Sequence, residues 1–287
     1  MAAVLRHVTL GETLLATVGL AMRRHYLSAP DSRIHRLTGD LARILAQMDK
    51  NRRAGQAEAL EVRIGEGYSG WAPTYDEVDA EGNDGFEHET PTVHALLRAL
   101  PRGHVLDAAC GTGRHLVVLR DLGHELSGFD ASAEMLAVAR AKVPEANLRV
   151  ASLERLPWGD GTFDAVLCAL AMEHQPTVAP AIAELARVVR PGGRVIVSDQ
   201  HPVQKLLGHQ ASYTAPDKTV TLLPSYAHLH SEYLRAFAAS GLHVRSCHEP
   251  VVEPGDQLLS RHPQFREAAE MAFLGLPTAL VWELDRT

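Results

Sequence analysis

Lysine is nearly missing from this chain. Only four of its 28 basic residues are lysine, and they face 35 acidic residues, for a formal net charge of −7. Such a balance offers no broad basic face to a phosphate backbone, so no nucleic-acid partner is expected. The arginine bias fits a GC-rich, bacterial coding genome. Cysteine is scarce too. Cys110, Cys168 and Cys247 are odd in number, far apart and without Cys-x-x-Cys spacing. They suit neither a disulfide framework nor a zinc site, so a reducing cytoplasm and no metal are expected. Long apolar runs are also lacking. The most apolar N-terminal stretch, VTLGETLLATVGLAM at 8–22, is interrupted by Glu12 and is too short for a membrane span. No basic cluster precedes it and no Ala-x-Ala site closes it, so it reads as a soluble helix, neither a signal peptide nor a membrane segment. What remains is ordinary globular composition, 46% hydrophobic and 22% charged, over 287 residues. That suits one large domain, or a domain plus a substantial extension.

Two helices are expected before residue 65, over 11–27 and 31–50. In the second, Ile34, Leu37, Leu41, Ile44, Leu45 and Met48 form one stripe at helical spacing. Residues 1–65 therefore read as an N-terminal helical extension, either a dimerisation arm or a lid over a pocket. Residues 66–90 mix aromatics, glycines and acids without steady period and read as a loop with anchoring rings. From Pro91 onward apolar strands alternate with helices: HVLDAA, HELSGFD, NLRVASL, FDAVLCALAM and RVIVSDQ are the strands. Fully apolar strands alternating with helices predict a parallel sheet with helices on both faces. Residues 201–230 form a long insertion rich in His and Tyr. A helix and two further strands follow, predicting an antiparallel strand at the sheet edge.

The segment VLDAACGTGRHLVVL (105–119) places glycines between a strand and a helix, which raises the question of its ligand. A triphosphate loop needs GxxxxGK[ST], and no lysine follows these glycines. A dinucleotide turn needs a third small residue, and Leu116 stands there instead. A nucleoside–amino-acid cofactor, S-adenosylmethionine, fits better. Gly111 and Gly113 allow backbone amides to approach it closely. Asp107 can accept from its ammonium group. Asp130, 17 positions after Gly113, can accept from both ribose hydroxyls. Cys110, with no base beside it, reads as a small filler, and Trp71 and Trp158 read as packing anchors.

Four elements in order carry a family resemblance: VLDAACGTGRH, SGFDAS, ASLERLPWGDGTFDAVLCALAMEH and ELARVVRPGGRVIVSD. Together they resemble the class I S-adenosylmethionine-dependent methyltransferases, more narrowly the branch of ubiquinone- and menaquinone-type and natural-product enzymes. The resemblance covers 91–249, with GYSGWAPTYDE joining more loosely; the first 60 residues resemble no family. It implies a Rossmann-like, seven-stranded, mostly parallel sheet with one antiparallel edge strand, so that 66–287 is the catalytic domain and 201–230 a roof over the substrate. It also implies that Asp107, Ala109, Gly111 and Gly113 line the methionine moiety and that Asp130 holds the ribose. Ser152 and Leu153 would border the adenine, where the acid common in the family comes late, as Glu154. Phe129 and Met135 would pack on adenine or sugar, Ala169 would approach by its backbone, and Tyr68 and Tyr75 would cover the carboxylate. Ala109 replaces the family's first glycine, which is tolerable if its φ stays negative.

Methyl transfer needs orientation and, where the nucleophile carries a proton, a base. Among 16 histidines, His174 follows the fourth strand and His201 the fifth, which makes them the candidate catalytic residues. The insertion's His209, Tyr213, Tyr226, His228 and His230 supply further candidates for a pocket wall. No Asn/Asp-Pro-Pro-Tyr tetrad and no metal-dependent catechol pattern is present. The expected activity is methylation of a small molecule, a secondary metabolite, at oxygen or carbon, leaving S-adenosylhomocysteine. Cyclisation or cyclopropane formation with the same cofactor stays open as an alternative. So does a non-catalytic cofactor-binding subunit, and a homodimer through the N-terminal helices.

Overall fold

The computed structural model describes residues 4–6, 10–25, 28–51, 58–80, 87–215, 219–256, 259 and 265–287. The chain divides into two compact units. One comprises Met1–Glu61, Thr214–Thr221 and Val251–Leu276, and the other Val62–Tyr213, Leu222–Pro250 and Pro277–Thr287.

In the first unit the helices Leu10–His25 and Asp31–Asn51 pack with Arg266–Phe273. The expected stripe is buried within the unit at Leu37 and Ile44, against Leu14, Val18, Phe265, Ala268 and Ala272, while Leu45 is half exposed. The side chain of Met48 lies outside the described residues. Arg36 holds Glu267 through two bonds of 2.7 and 2.8 Å, and His25 Nε2 donates to the Met271 carbonyl. No helix among the described residues is long and apolar enough to cross a membrane.

The second unit is built on seven strands: β1 His104–Ala108, β2 Glu125–Asp130, β3 Asn147–Val150, β4 Phe163–Ala169, β5 Val189–Gln200, β6 Leu242–His248 and β7 Ala279–Arg286. Their order is β6-β7-β5-β4-β1-β2-β3. The first five run parallel, and β7 is antiparallel to β5 and β6 at one end of the sheet. This is the expected mostly parallel α/β sheet. Alternate residues feed two cores. Leu106, Ala108, Val166, Cys168, Val195 and Val197 face the helices Ala179–Val188 and His230–Ala239. Val105, Ala165, Leu167 and Ile196 face Glu89–Arg98, Arg114–Asp121 and Ala133–Lys142. Helices cover both faces, which is why these strands are apolar throughout.

Three local expectations need correction. Residues 66–90 are not simply loop. Ile64–Trp71 and Tyr75–Ala80 are helices, because Ile64, Tyr68, Trp71 and Tyr75 recur at helical spacing and pack together with Leu223 and Met135. The glycines between them obscure that stripe; residues 81–86 lie outside the described residues. Strand β5 begins at Val189, five residues before the expected RVIVSDQ, and so includes Pro191-Gly192-Gly193. Its pairing with β4 shifts register just there. Third, Ala109 has φ +56 rather than a negative value. The strand must turn sharply into Arg114–Asp121, and the left-handed conformation costs an alanine about 1–2 kcal/mol.

Gly113, at φ +84, precedes that helix as its N-cap, and a Cβ there would stand 3.2 Å from the Cβ of Ala139. Its glycine is required by the turn and by helix packing. Replacing Gly113 with Ala is expected to destabilise the chain by about 2 kcal/mol in urea unfolding, from the φ penalty plus crowding; a loss below about 0.5 kcal/mol would contradict this.

Candidate functional site

The turn after β1 and the end of β2 are tied together. Cys110 N–H donates to the Phe129 carbonyl at 2.8 Å, and Gly111 N–H to Asp130 Oδ2 at 2.9 Å. The other Asp130 oxygen accepts from Ser132 N–H at 2.9 Å. Ser132 in turn caps Ala133–Lys142 by accepting from Met135 N–H.

A cavity of about 330 Å³ opens at these strand ends, within the range of small-molecule pockets. Ala109 and Gly111 line it from the turn after β1; Phe129, Asp130 and Ala131 from the end of β2; and Met135 from the following helix. Ala151 to Glu154 follow β3, Ala169 ends β4, and Leu170, Ala171, His174 and Gln175 follow it. Ile64, Gly65, Tyr68 and Tyr75 complete the wall. A larger, open hollow lies elsewhere on the unit, beside Arg187. That arginine is already paired with Glu184 and Asp160.

The structure therefore gathers Tyr68, Tyr75, Ala109, Gly111, Phe129, Asp130, Met135, Ser152, Leu153, Ala169 and His174 around one space. Asp107 and Gly113 do not line it. Gly113 caps a helix, and Asp107 is buried at the end of β1. Sequence reasoning missed Ile64, Gly65, Ala131, Ala151, Leu170 and Ala171, since small and apolar residues carry no chemical signature, and it missed Gln175, a lone amide outside any motif. Only the positive φ of Leu170 (+51), invisible in sequence, marks it as unusual.

Asp107 is 1% exposed, and its Oδ2 has no hydrogen-bond partner among the described residues. Burial pushes its pKa up to about 8, with Arg114 pulling it down and Asp130 and Glu89 adding to the rise. Burial also raises Asp130, opposed by the amides of Ser132 and Gly111. The amide of Ala131 acts in the same sense, and the two Asp130 oxygens together keep acceptor capacity beyond these amides. At Gly111, φ +52, nothing lies within 4 Å of where a Cβ would stand. An unsatisfied buried acid, an acid with spare acceptor sites and a bare backbone wall fit a ligand carrying an ammonium and vicinal hydroxyls. Phe129, Met135 and Leu153 offer it an apolar slot.

His174 Nδ1 lies 2.7 Å from the Pro224 carbonyl, and its Nε2 lies 2.7 Å from the Tyr68 hydroxyl. A carbonyl can only accept, so Nδ1 carries the ring proton and Nε2 is left as the acceptor. Burial holds the Tyr68 phenol well above its ordinary pKa, so it stays protonated.

His201 is elsewhere. It is buried, its Nδ1 accepts from Val203 N–H at 3.1 Å, and its Nε2 donates to Glu249 at 3.0 Å. His230 reaches the same carboxylate at 3.1 Å. Ligand-type atoms of His201, His230 and Glu249 lie within 4.8 Å of one another. The amide at His201 Nδ1, however, places that ring's proton on Nε2, the atom a metal would need. His201 is thus a helix cap at Pro202–Leu206. His209, Tyr213, Tyr226, His228 and His230 do not line the cavity either. His228 donates to the Met172 carbonyl, and Tyr213 stacks on Trp71. Trp158 packs between Phe129 and Phe163, as an anchor.

A family model described as a methyltransferase domain matches residues 106–197. Over that stretch the chain is similar to a methyltransferase domain. Its β1 turn, β2 and β4 all lie within or beside the matched stretch. Demethylmenaquinone methyltransferase from Thermus thermophilus is 38% identical over 119 residues, covering 39% of this chain and 54% of that one. The same-named protein from Beutenbergia cavernae is 35% identical over 103 residues, covering 36% and 43%. The chain thus spans about half the length of these curated relatives. An S-adenosylmethionine-dependent methyltransferase structure from Mesorhizobium loti shares the domain's fold, with TM-score 0.51 and 23% identity over 67% of this chain and 96% of that one.

Because the Asp107 carboxyl sits near 8 in the fold and at the usual 3.8 when exposed, the folded chain holds a proton that the unfolded chain has lost across that window. Its contribution to stability is full below pH 4 and declines as pH rises to 8. Asp199, also pushed up to about 8 by burial, adds a decline of the same sign. Asp107→Asn is expected to remove its share and flatten the fall in urea midpoint between pH 5 and 8. An unchanged slope would contradict the buried, proton-bearing state.

Proposed function

We propose that the domain binds S-adenosylmethionine in this cavity and methylates oxygen or carbon of a small-molecule acceptor. The observation that carries this reading is half-buried Asp130 in the cavity wall, at a parallel strand end beside that of Asp107, a buried acid with an oxygen that has no partner among the described residues. Asp130 would take the ligand's ribose hydroxyls, and Asp107, behind the cavity wall, would reach its ammonium through a bridging water. Gly111 would lie against it by bare backbone, and Phe129, Met135 and Leu153 would enclose the adenine. When bound, the cofactor supplies an electrophilic methyl carbon on a sulfonium leaving group. The chain's own task is then orientation, exclusion of water and handling of one proton.

His174 suits the last task. Its Nε2 lone pair receives the Tyr68 hydroxyl, whose oxygen keeps lone pairs of its own. An acceptor hydroxyl or acidic C–H gives its proton to Tyr68 oxygen as the phenol proton passes to His174, or gives it to His174 directly. The names of the demethylmenaquinone relatives point to an aromatic, quinol-like acceptor, and the absence of a broad basic face agrees with a small molecule over a nucleic acid.

Incubation with methyl-labelled cofactor and a panel of phenols, quinols and enols tests this. Label transfer with a product heavier by one CH2 is expected. His174→Asn should lower kcat by about 10²–10⁴-fold. A product of unchanged mass would favour the cyclisation alternative, and wild-type turnover by His174→Asn would remove His174 from the base role.

A further inference from the structure

Glu173 directly precedes His174 and is buried on every side. Its Oε2 accepts from Lys205 Nζ at 2.7 Å and from Ser225 Oγ at 2.5 Å, and Lys205 also donates to Ser225 Oγ. The Lys205 and Glu173 side chains are only 5% and 8% exposed. The main chain of Glu173 is held as well. Its N–H donates to Asp199 Oδ1 at 2.9 Å, and its carbonyl accepts from Tyr226 N–H at 2.7 Å. On the other side of Ser225 in the chain is Pro224, whose carbonyl receives His174 Nδ1–H. Residues 224–226 are therefore stitched to residues 173 and 174 through three consecutive positions, with Lys205 closing the cluster from the short helix Pro202–Leu206.

A buried ion pair is a poor way to stabilise a fold. Removing both charges from water costs several kcal/mol per ion, and apolar residues of similar volume frequently serve as well. The geometry gives this pair a different task. The Pro224 carbonyl decides which nitrogen of His174 carries the proton. Without a fixed acceptor at Nδ1, the proton is free to move to Nε2, which then has no lone pair to offer Tyr68 or an acceptor.

We propose that Lys205 and Glu173 are positioning residues, whose buried pair pins the Pro224 carbonyl against His174 and so keeps the lone pair on Nε2 at the cavity. The chemical consequence rests on the reading of His174 as base; the tautomer does not. Nitrogen-15 NMR of the full chain labelled at histidine separates the two, with His174 assigned by its disappearance in His174→Gln. The wild type is expected to show His174 in the Nδ1–H form alone. Lys205→Met and Glu173→Gln are expected to show a mixture of tautomers, with kcat at least tenfold lower and cofactor affinity within threefold of wild type. Because the single variants leave a buried charge or donor unpaired, the double variant Glu173→Leu/Lys205→Met serves as the folded control, and it too is expected to show the mixture. A folded double variant with the wild-type His174 signature overturns the proposal. Wild-type turnover by His174→Gln would overturn the base reading alone, leaving the tautomer result standing.

Discussion

Asp130 accepts the amide of Gly111 through one oxygen and that of Ser132 through the other. The first bond crosses between neighbouring strand ends, and the second stays local. Together they set the distance between the turn that leaves β1 and the turn that leaves β2. The register carries them into place: Asp107 lies opposite Gly128 and Ala108 opposite Phe129, so the chain after β1 bends just where Asp130 arrives. Cys110 N–H closes the same junction on the Phe129 carbonyl. The cavity floor, the cap of Ala133–Lys142 and the spare acceptor sites of Asp130 all depend on this one half-buried carboxylate being ionisable beside backbone amides.

The site stores strain around that junction. Ala109 and Leu170 both adopt left-handed φ, at +56 and +51, at the ends of the adjacent strands β1 and β4. Each costs on the order of 1–3 kcal/mol and persists because its surroundings over-determine it. At Leu170 the amide donates to the Ser198 carbonyl on β5. At Ala109 the bonds of the two following amides to β2 serve the same end. The buried acids add a second kind of tension. Asp107 has an oxygen without a donor, whereas Asp199, equally buried, accepts from Tyr233, Glu173 and Gln200. Two acids with the same burial thus differ in whether every oxygen has a partner among the described residues.

The sheet was legible because its strands are apolar on both faces, a pattern only a covered parallel sheet makes. Asp130 and His174 were legible from their places after strands, since open α/β sheets bind ligands at carboxyl ends. His201 shared that address and still went elsewhere: a histidine before Pro202 can serve as a helix cap, and sequence does not show which of its nitrogens is occupied. The φ of Ala109 was hidden because alanine is ordinarily right-handed or extended, and only the geometry of the turn overrules it. The helices Ile64–Trp71 and Tyr75–Ala80 were hidden by the glycines that interrupt their aromatic stripe. That residues 265–272 pack with the N-terminal helices follows from chain path, to which local pattern is blind.

The most direct measurement of the central claim is calorimetric titration of S-adenosylhomocysteine into the wild-type chain and into Asp130→Asn, with folding checked by circular dichroism. Hydrogen bonds to a charged acceptor contribute about 1.5–3 kcal/mol, or roughly 10–150-fold in affinity. The account predicts one site per chain in the wild type and a loss of that size in the folded variant. Affinity in Asp130→Asn within twofold of wild type would contradict it.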